Sequence, residues 1–125
     1  MTHQILITDD EPNIVISLEY LMRREGYDVR VARDGQEALD QVAQSVPDLI
    51  LLDVMMPRKT GFEVCETLRS RPEWEGIKIL MLTAKGRETD VAKGMALGAN
   101  AYMTKPFSTQ ELVSRVAALL AGDAG

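Results

Sequence analysis

Apolar positions along this chain switch repeatedly between two periods. Gln4-Ile5-Leu6-Ile7-Thr8 is a short, β-branched apolar run and reads as a strand. Beyond Pro12, residues Ile14, Leu18, Leu21 and Met22 recur at helical spacing. Pro12 suits a first helical turn, where its missing N–H has no intrahelical partner. Gly26 is placed to end that helix. Tyr27 to Ala32 alternates, which predicts a second strand with one face partly wet. Asp34 is positioned to cap a helix carrying Ala38, Leu39, Val42 and Ala43, and Pro47 stops it. The run Asp48-Leu49-Ile50-Leu51-Leu52-Asp53 is apolar almost throughout, as in a strand buried on both faces.

The second half repeats the alternation. Phe62, Val64, Cys65 and Leu68 mark a third helix that ends near Pro72. Ile77 to Thr83 reads as a fourth strand. Val91, Ala92 and Met95 sit on a fourth helix closed by Gly98, and Asn100 to Thr104 is a short fifth strand. Ser108, with Glu111 three residues on, reads as a capping box opening a last helix with Leu112, Val113, Val116, Leu119 and Leu120. Five strand–helix units predict an α/β fold, a parallel sheet with helices on both faces. Right-handed crossovers restrict the topology. A flavodoxin-like doubly wound five-stranded sheet, order 2-1-3-4-5 with five helices, puts alternating strand two at an edge and apolar strand three in the centre. Residues 1–121 are expected to form the domain. Residues 122–125 read as a frayed tail or the beginning of a truncated linker.

Composition narrows the function classes. A chain of 125 residues encloses one core. No apolar run approaches the roughly 20 residues needed to cross a bilayer, and the first residues lack a signal peptide's pattern. A cytoplasmic protein with no membrane partner is expected. Cys65 is the sole cysteine, which excludes an internal disulfide, and its place on an apolar helix face points to a buried, inert thiol. A net charge of −5, without a Lys/Arg cluster, argues against direct nucleic-acid binding by this domain.

The residues that break the apolar runs fall at strand ends. Asp9 and Asp10 end strand one, Asp53 strand three, Thr83 strand four and Lys105 strand five. In such sheets ligands lie beyond the carboxyl ends of the strands. Neighbouring strands are about 4.8 Å apart, so these side chains converge. Two carboxylates about 4 Å apart repel by about 4 kcal/mol at an effective dielectric near 20. Three acids in one cleft therefore call for a cation or a held proton. The donors are hard oxygens without His or Cys, which favours Mg²⁺. An aspartate carboxylate can form an aspartyl phosphate, with Lys105 and Thr83 available to the phosphoryl oxygens.

Four segments, "ILITDDEPN", "DLILLDVMMP", "ILMLTAKG" and "YMTKPF", together resemble the receiver domain of bacterial two-component response regulators. The resemblance covers essentially the whole chain. It implies that Asp53 is the phosphoacceptor, supplied by a sensor histidine kinase or a phosphotransfer protein. It implies Mg²⁺ held by Asp9, Asp10, Asp53 and the backbone carbonyl of Met55. Thr83 and Tyr102 would be the switch pair, Lys105 would pair with the phosphoryl group, and the Lys105–Pro106 peptide would be cis. Met55 and Lys85 would flank the phosphoryl group and tune its lifetime. "MTKPFSTQELVSRV" is most similar to receivers of the winged-helix transcription-factor subfamily, which pair through the fourth helix, fifth strand and fifth helix. A weak homodimer through that face is implied, although Asn100 and Ala101 stand where the subfamily carries two acids. The chain would then be a signalling phosphoacceptor, not an enzyme, with its downstream target unspecified. A receiver portion of a longer DNA-binding regulator is the alternative.

Two other readings meet specific obstacles. A Mg²⁺-dependent aspartyl phosphatase of the best-known class has its nucleophile and a second Asp two residues later, both after strand one. Here the acids after strand one are adjacent, and no cap insertion is present. A flavin mononucleotide carrier needs a phosphate loop after strand one, where this chain has the anionic "TDDEPN".

Overall fold

In the computed structural model, which describes residues 2–84 and 88–122, strands and helices alternate along the chain. They are β1 (Gln4–Thr8), α1 (Pro12–Arg24), β2 (Asp28–Ala32), α2 (Gly35–Gln44), β3 (Leu49–Asp53), α3 (Gly61–Arg69), β4 (Lys78–Ala84), α4 (Glu88–Ala96), β5 (Ala101–Lys105) and α5 (Thr109–Leu120). All pairings are parallel and the order is β2-β1-β3-β4-β5, the flavodoxin-like arrangement expected from the sequence. Every residue of β3 is buried, as its continuous apolar run requires of a central strand. Both edges alternate, and β5 does so more regularly than β2.

Strand alternation sorts the core into two layers. Leu6, Ile50, Leu52, Ile79 and Met81 face α2 and α3, where they meet Ala38, Val42, Val64, Cys65 and Leu68. Ile5, Ile7, Leu49, Leu51, Leu80 and Leu82 face α1 and α5, where they meet Leu18, Met22, Leu112 and Val116. Cys65 is fully buried, and burial pushes its thiol pKa up, as an inert core thiol should behave. Trp74 lies in a short 3₁₀ turn (Pro72–Trp74) and joins the α2/α3 layer, with the Arg71 guanidinium 5.0 Å from its ring centre.

Helix α4 departs from its apolar pattern. Its buried residues are Asp90 and Gly94, whereas Ala92 and Met95 are exposed. The glycine explains this: a Cβ at position 94 would lie 2.5 Å from Met81 Sδ. The helix thus approaches the sheet through its smallest residue and leaves apolar side chains outside.

Helix ends follow local chemistry. Pro12 opens α1, Gly26 follows it at φ +91°, and Asp34 caps α2 by accepting from Glu37 N at 2.8 Å. The complete capping box is at α3, where Thr60 Oγ1 accepts from Glu63 N and Thr60 N donates to Glu63 Oε1. At α5 Ser108 accepts from Glu111 N, and among the described residues the reciprocal bond is missing. "TGFE" carries the same Thr-x-x-Glu signature, so this box was legible in the sequence.

Asn100 does not lie on an open dimer face. Its Oδ1 accepts from Ile79 N at 2.7 Å and from Arg69 Nη2 at 2.8 Å, and its own N–H donates to Ile79 O. Arg69 further donates to Gly98 O and Glu75 O. One arginine thereby ties the end of α3 to the loops before β4 and β5, and the neighbouring Ala101 is buried. Asn100→Ala strands a partly buried N–H and one guanidinium donor, and is expected to destabilise by about 2 kcal/mol. The urea midpoint checks this, and Asn100→Asp, which keeps the acceptor, should retain most of the stability.

Candidate phosphoacceptor and metal site

Strand parity builds the site. Ile5, Ile7 and Asp9 follow one alternation, as do Leu49, Leu51 and Asp53, and Ala101, Met103 and Lys105. The apolar members all belong to the α1/α5 layer, so burying them brings three charged residues to one rim. Asp9 is held there by its N–H, which donates to Ala32 O, and by its Oδ1, which accepts from Glu11 N at 2.9 Å. Gly61 lets α3 press against the end of β3: a Cβ there would lie 2.4 Å from the Asp53 carbonyl oxygen.

Lys105 Nζ donates to Asp9 Oδ2 at 2.8 Å and to Asp53 Oδ1 at 3.2 Å. Asp9 is fully buried, Asp53 is 6% exposed, and Asp10 is open to solvent. Carboxylate oxygens of Asp9, Asp10 and Asp53 lie within 4.8 Å of one another. Burial first, and the Asp9 charge second, raise the Asp53 pKa to about 6 against the opposing pull of Lys105. Burial by itself lowers the Lys105 pKa, but hydrogen bonds and charge from Asp9 and Asp53 outweigh it, and the net shift is upward. The lysine stays cationic. Three carboxylates against one ammonium leave the cleft anionic, and the all-oxygen donor set fits a hard divalent cation.

Thr83 lies on β4, one residue beyond Leu82, the partner of Asp53. It belongs to the other face, with Ile79 and Met81, and its buried Oγ1 has no hydrogen-bond partner. Tyr102 pairs with Met81 and Thr104 with Thr83, so Tyr102 is the diagonal neighbour of Thr83 on that face. The tyrosine is 43% exposed. Met55, two residues after Asp53, exposes 60% of its surface. The Lys105–Pro106 peptide is cis. Lys85 lies outside the described residues.

Two features had weak signals in the sequence. The bond from Lys105 to Asp9 has no local signal, because pairing with an incoming phosphoryl group would by itself account for a lysine at this strand end. Thr8, fully buried with an unpartnered Oγ1, looked like the polar end of an apolar run.

The response regulator receiver domain model matches residues 5–117. The alkaline phosphatase synthesis transcriptional regulatory protein PhoP of Bacillus subtilis (strain 168) is 51% identical over 120 residues, covering 96% of this chain and 49% of that protein. The chain thus spans about half the length of that relative. Among solved structures, the signal receiver domain of a signal transduction histidine kinase from Syntrophus aciditrophicus superposes with a TM-score of 0.91 at 33% identity, covering 97% of this chain and 92% of that one. Chemotaxis response regulator CheY4 of Vibrio cholerae gives a TM-score of 0.88 at 32% identity, covering 94% of this chain and 98% of that one. Among the described residues no helix is long and apolar enough to cross a membrane. Sequence, topology and the acidic rim agree: the chain belongs to the response regulator receiver domain family.

Proposed function

We propose that Asp53 reversibly accepts a phosphoryl group from the phosphohistidine of a sensor histidine kinase or phosphotransfer protein, in a Mg²⁺-dependent reaction. The observation that carries this reading is a nearly buried carboxylate at the end of the central strand, ringed by Asp9, Asp10 and Lys105. An Asp53 oxygen attacks phosphorus, the P–N bond to the donor imidazole breaks, and the donor histidine leaves neutral once a proton returns to its ring. Mg²⁺, when bound by Asp9, Asp10, Asp53 and the Met55 carbonyl, supplies positive charge to the phosphoryl oxygens. Lys105, already directed at Asp53, stabilises the added negative charge. The protein itself is a phosphoacceptor rather than an enzyme acting on a separate substrate.

The unpartnered Thr83 hydroxyl has a donor to offer the phosphoryl group. An inward turn of Thr83 vacates space on the face shared with Tyr102, whose exposed ring can follow. This couples the site to the face made by α4, β5 and α5, a two-state switch biased by contacts made only after phosphorylation. Exposed Met95 and Tyr102 make the same face the place for an effector or a weak homodimer. Similarity to half of a transcriptional regulatory protein supports a second reading, in which this domain governs a longer DNA-binding chain.

The test is incubation with a small phosphodonor, with magnesium or with chelator, followed by intact-mass measurement. Wild-type protein is expected to gain about 80 Da, one phosphoryl group, only with magnesium. No gain in either condition overturns the proposal. Lys105→Ala is expected to take up the group yet lose phosphorylation-dependent binding to its partner. An unchanged partner response would remove Lys105 from the switch.

A further inference from the structure

The outer edge of β2 is closed by side chains from both faces of the sheet. Asp28 N donates to His3 O, and Ala32 O accepts from Asp9 N, so alternate residues 28, 30 and 32 turn their backbone groups toward β1. Val29 and Val31 turn theirs outward. The Val29 carbonyl accepts from Arg23 Nη2 at 3.3 Å, and the Val31 carbonyl accepts from Gln41 Nε2 at 2.6 Å. Arg23 reaches over from α1 and Gln41 from α2, which lie on opposite faces.

Each plug is itself held. Glu19, one turn earlier on α1, accepts from Arg23 Nε and Nη2. Arg30 Nη1 donates to Gln41 Oε1, which fixes the amide so that its nitrogen faces Val31. Arg30 also donates to the carbonyls of Gln41 and Ser45, anchoring itself to the end of α2. An exposed edge strand otherwise presents a row of free acceptors on which another strand can pair.

We propose that Arg23 and Gln41 act as a built-in block against strand addition at β2, and that removing them lets a second copy of this chain pair there edge to edge. The inference stands apart from the phosphoacceptor site, which lies at the carboxyl ends of the strands.

Arg23→Ala/Gln41→Ala tests it, because alanine preserves both helices. Circular dichroism establishes that the variant is folded. Sedimentation over a concentration series is expected to show average mass rising from one chain toward two, beyond any rise in wild type. Amide exchange at Val29 and Val31 should slow in step with that rise. A folded variant that matches wild-type mass throughout overturns the block, and so does association that leaves those two amides unprotected. If the double variant does not fold, Gln41→Leu, which keeps a helix former and its bulk while removing the donor, carries the same test with the same two outcomes.

Discussion

Asp53→Asn protein is expected to gain no mass from a small phosphodonor under conditions in which the wild type is expected to take up one phosphoryl group. The substitution changes one oxygen to nitrogen in a nearly buried position, so the fold around it is kept. The other acids are poorly placed to stand in as nucleophile. Asp9 is buried, with Oδ1 taken by Glu11 N and Oδ2 by Lys105. Asp10 is open to solvent and is not in contact with Lys105 among the described bonds. Deleting the Asp53 charge also removes one of the three carboxylates that could hold a metal ion. Intact-mass spectra of both proteins with magnesium decide the matter. Persistent labelling of the Asn protein would move the acceptor elsewhere, and peptide mapping would say where.

Much of this site could be read from the sequence because strand parity governs both core and rim. The alternation that makes Ile7, Leu51 and Met103 core residues makes Asp9, Asp53 and Lys105 neighbours. What escaped were contacts between residues distant in sequence whose types are ordinary at the surface. Arg69 at a helix C-terminus looks like a charge complementing the helix dipole, and Asn100 like a departure from an acidic pair. Only the folded chain shows them joined, with Asn100 bonded to Ile79. Helix α4 was hidden for another reason. Its apolar residues suggest a buried stripe, but a glycine sets how closely it can approach Met81. Arg23 and Gln41 read as polar helix residues, and nothing local marks them as partners for the carbonyls of β2.

In metal-free buffer near pH 7.5, Asp53→Asn is expected to be more stable than wild type, because the native state confines repelling carboxylates. The Asp53 pKa is raised to about 6 in the folded protein by burial and then by Asp9. An acid with a raised folded pKa favours folding when protonated. That contribution is complete below the unfolded pKa, about 3.9, and is lost as pH rises through about 6. Two pKa units correspond to at most about 3 kcal/mol, and water entering past exposed Asp10 screens the repulsion, leaving about 1–2 kcal/mol. Urea midpoints in chelator should therefore favour the Asn protein at neutral pH, with the gap closing as pH falls from about 7 to 4. Added magnesium should close the gap and then reverse it, because an ion that binds only the folded wild type raises its stability by about 2.7 kcal/mol at a hundred times Kd. A variant no more stable than wild type in chelator would mean that the three acids do not strain the empty cleft. The charge-based reason for expecting a cation there would then be lost, even if phosphorylation at Asp53 were intact.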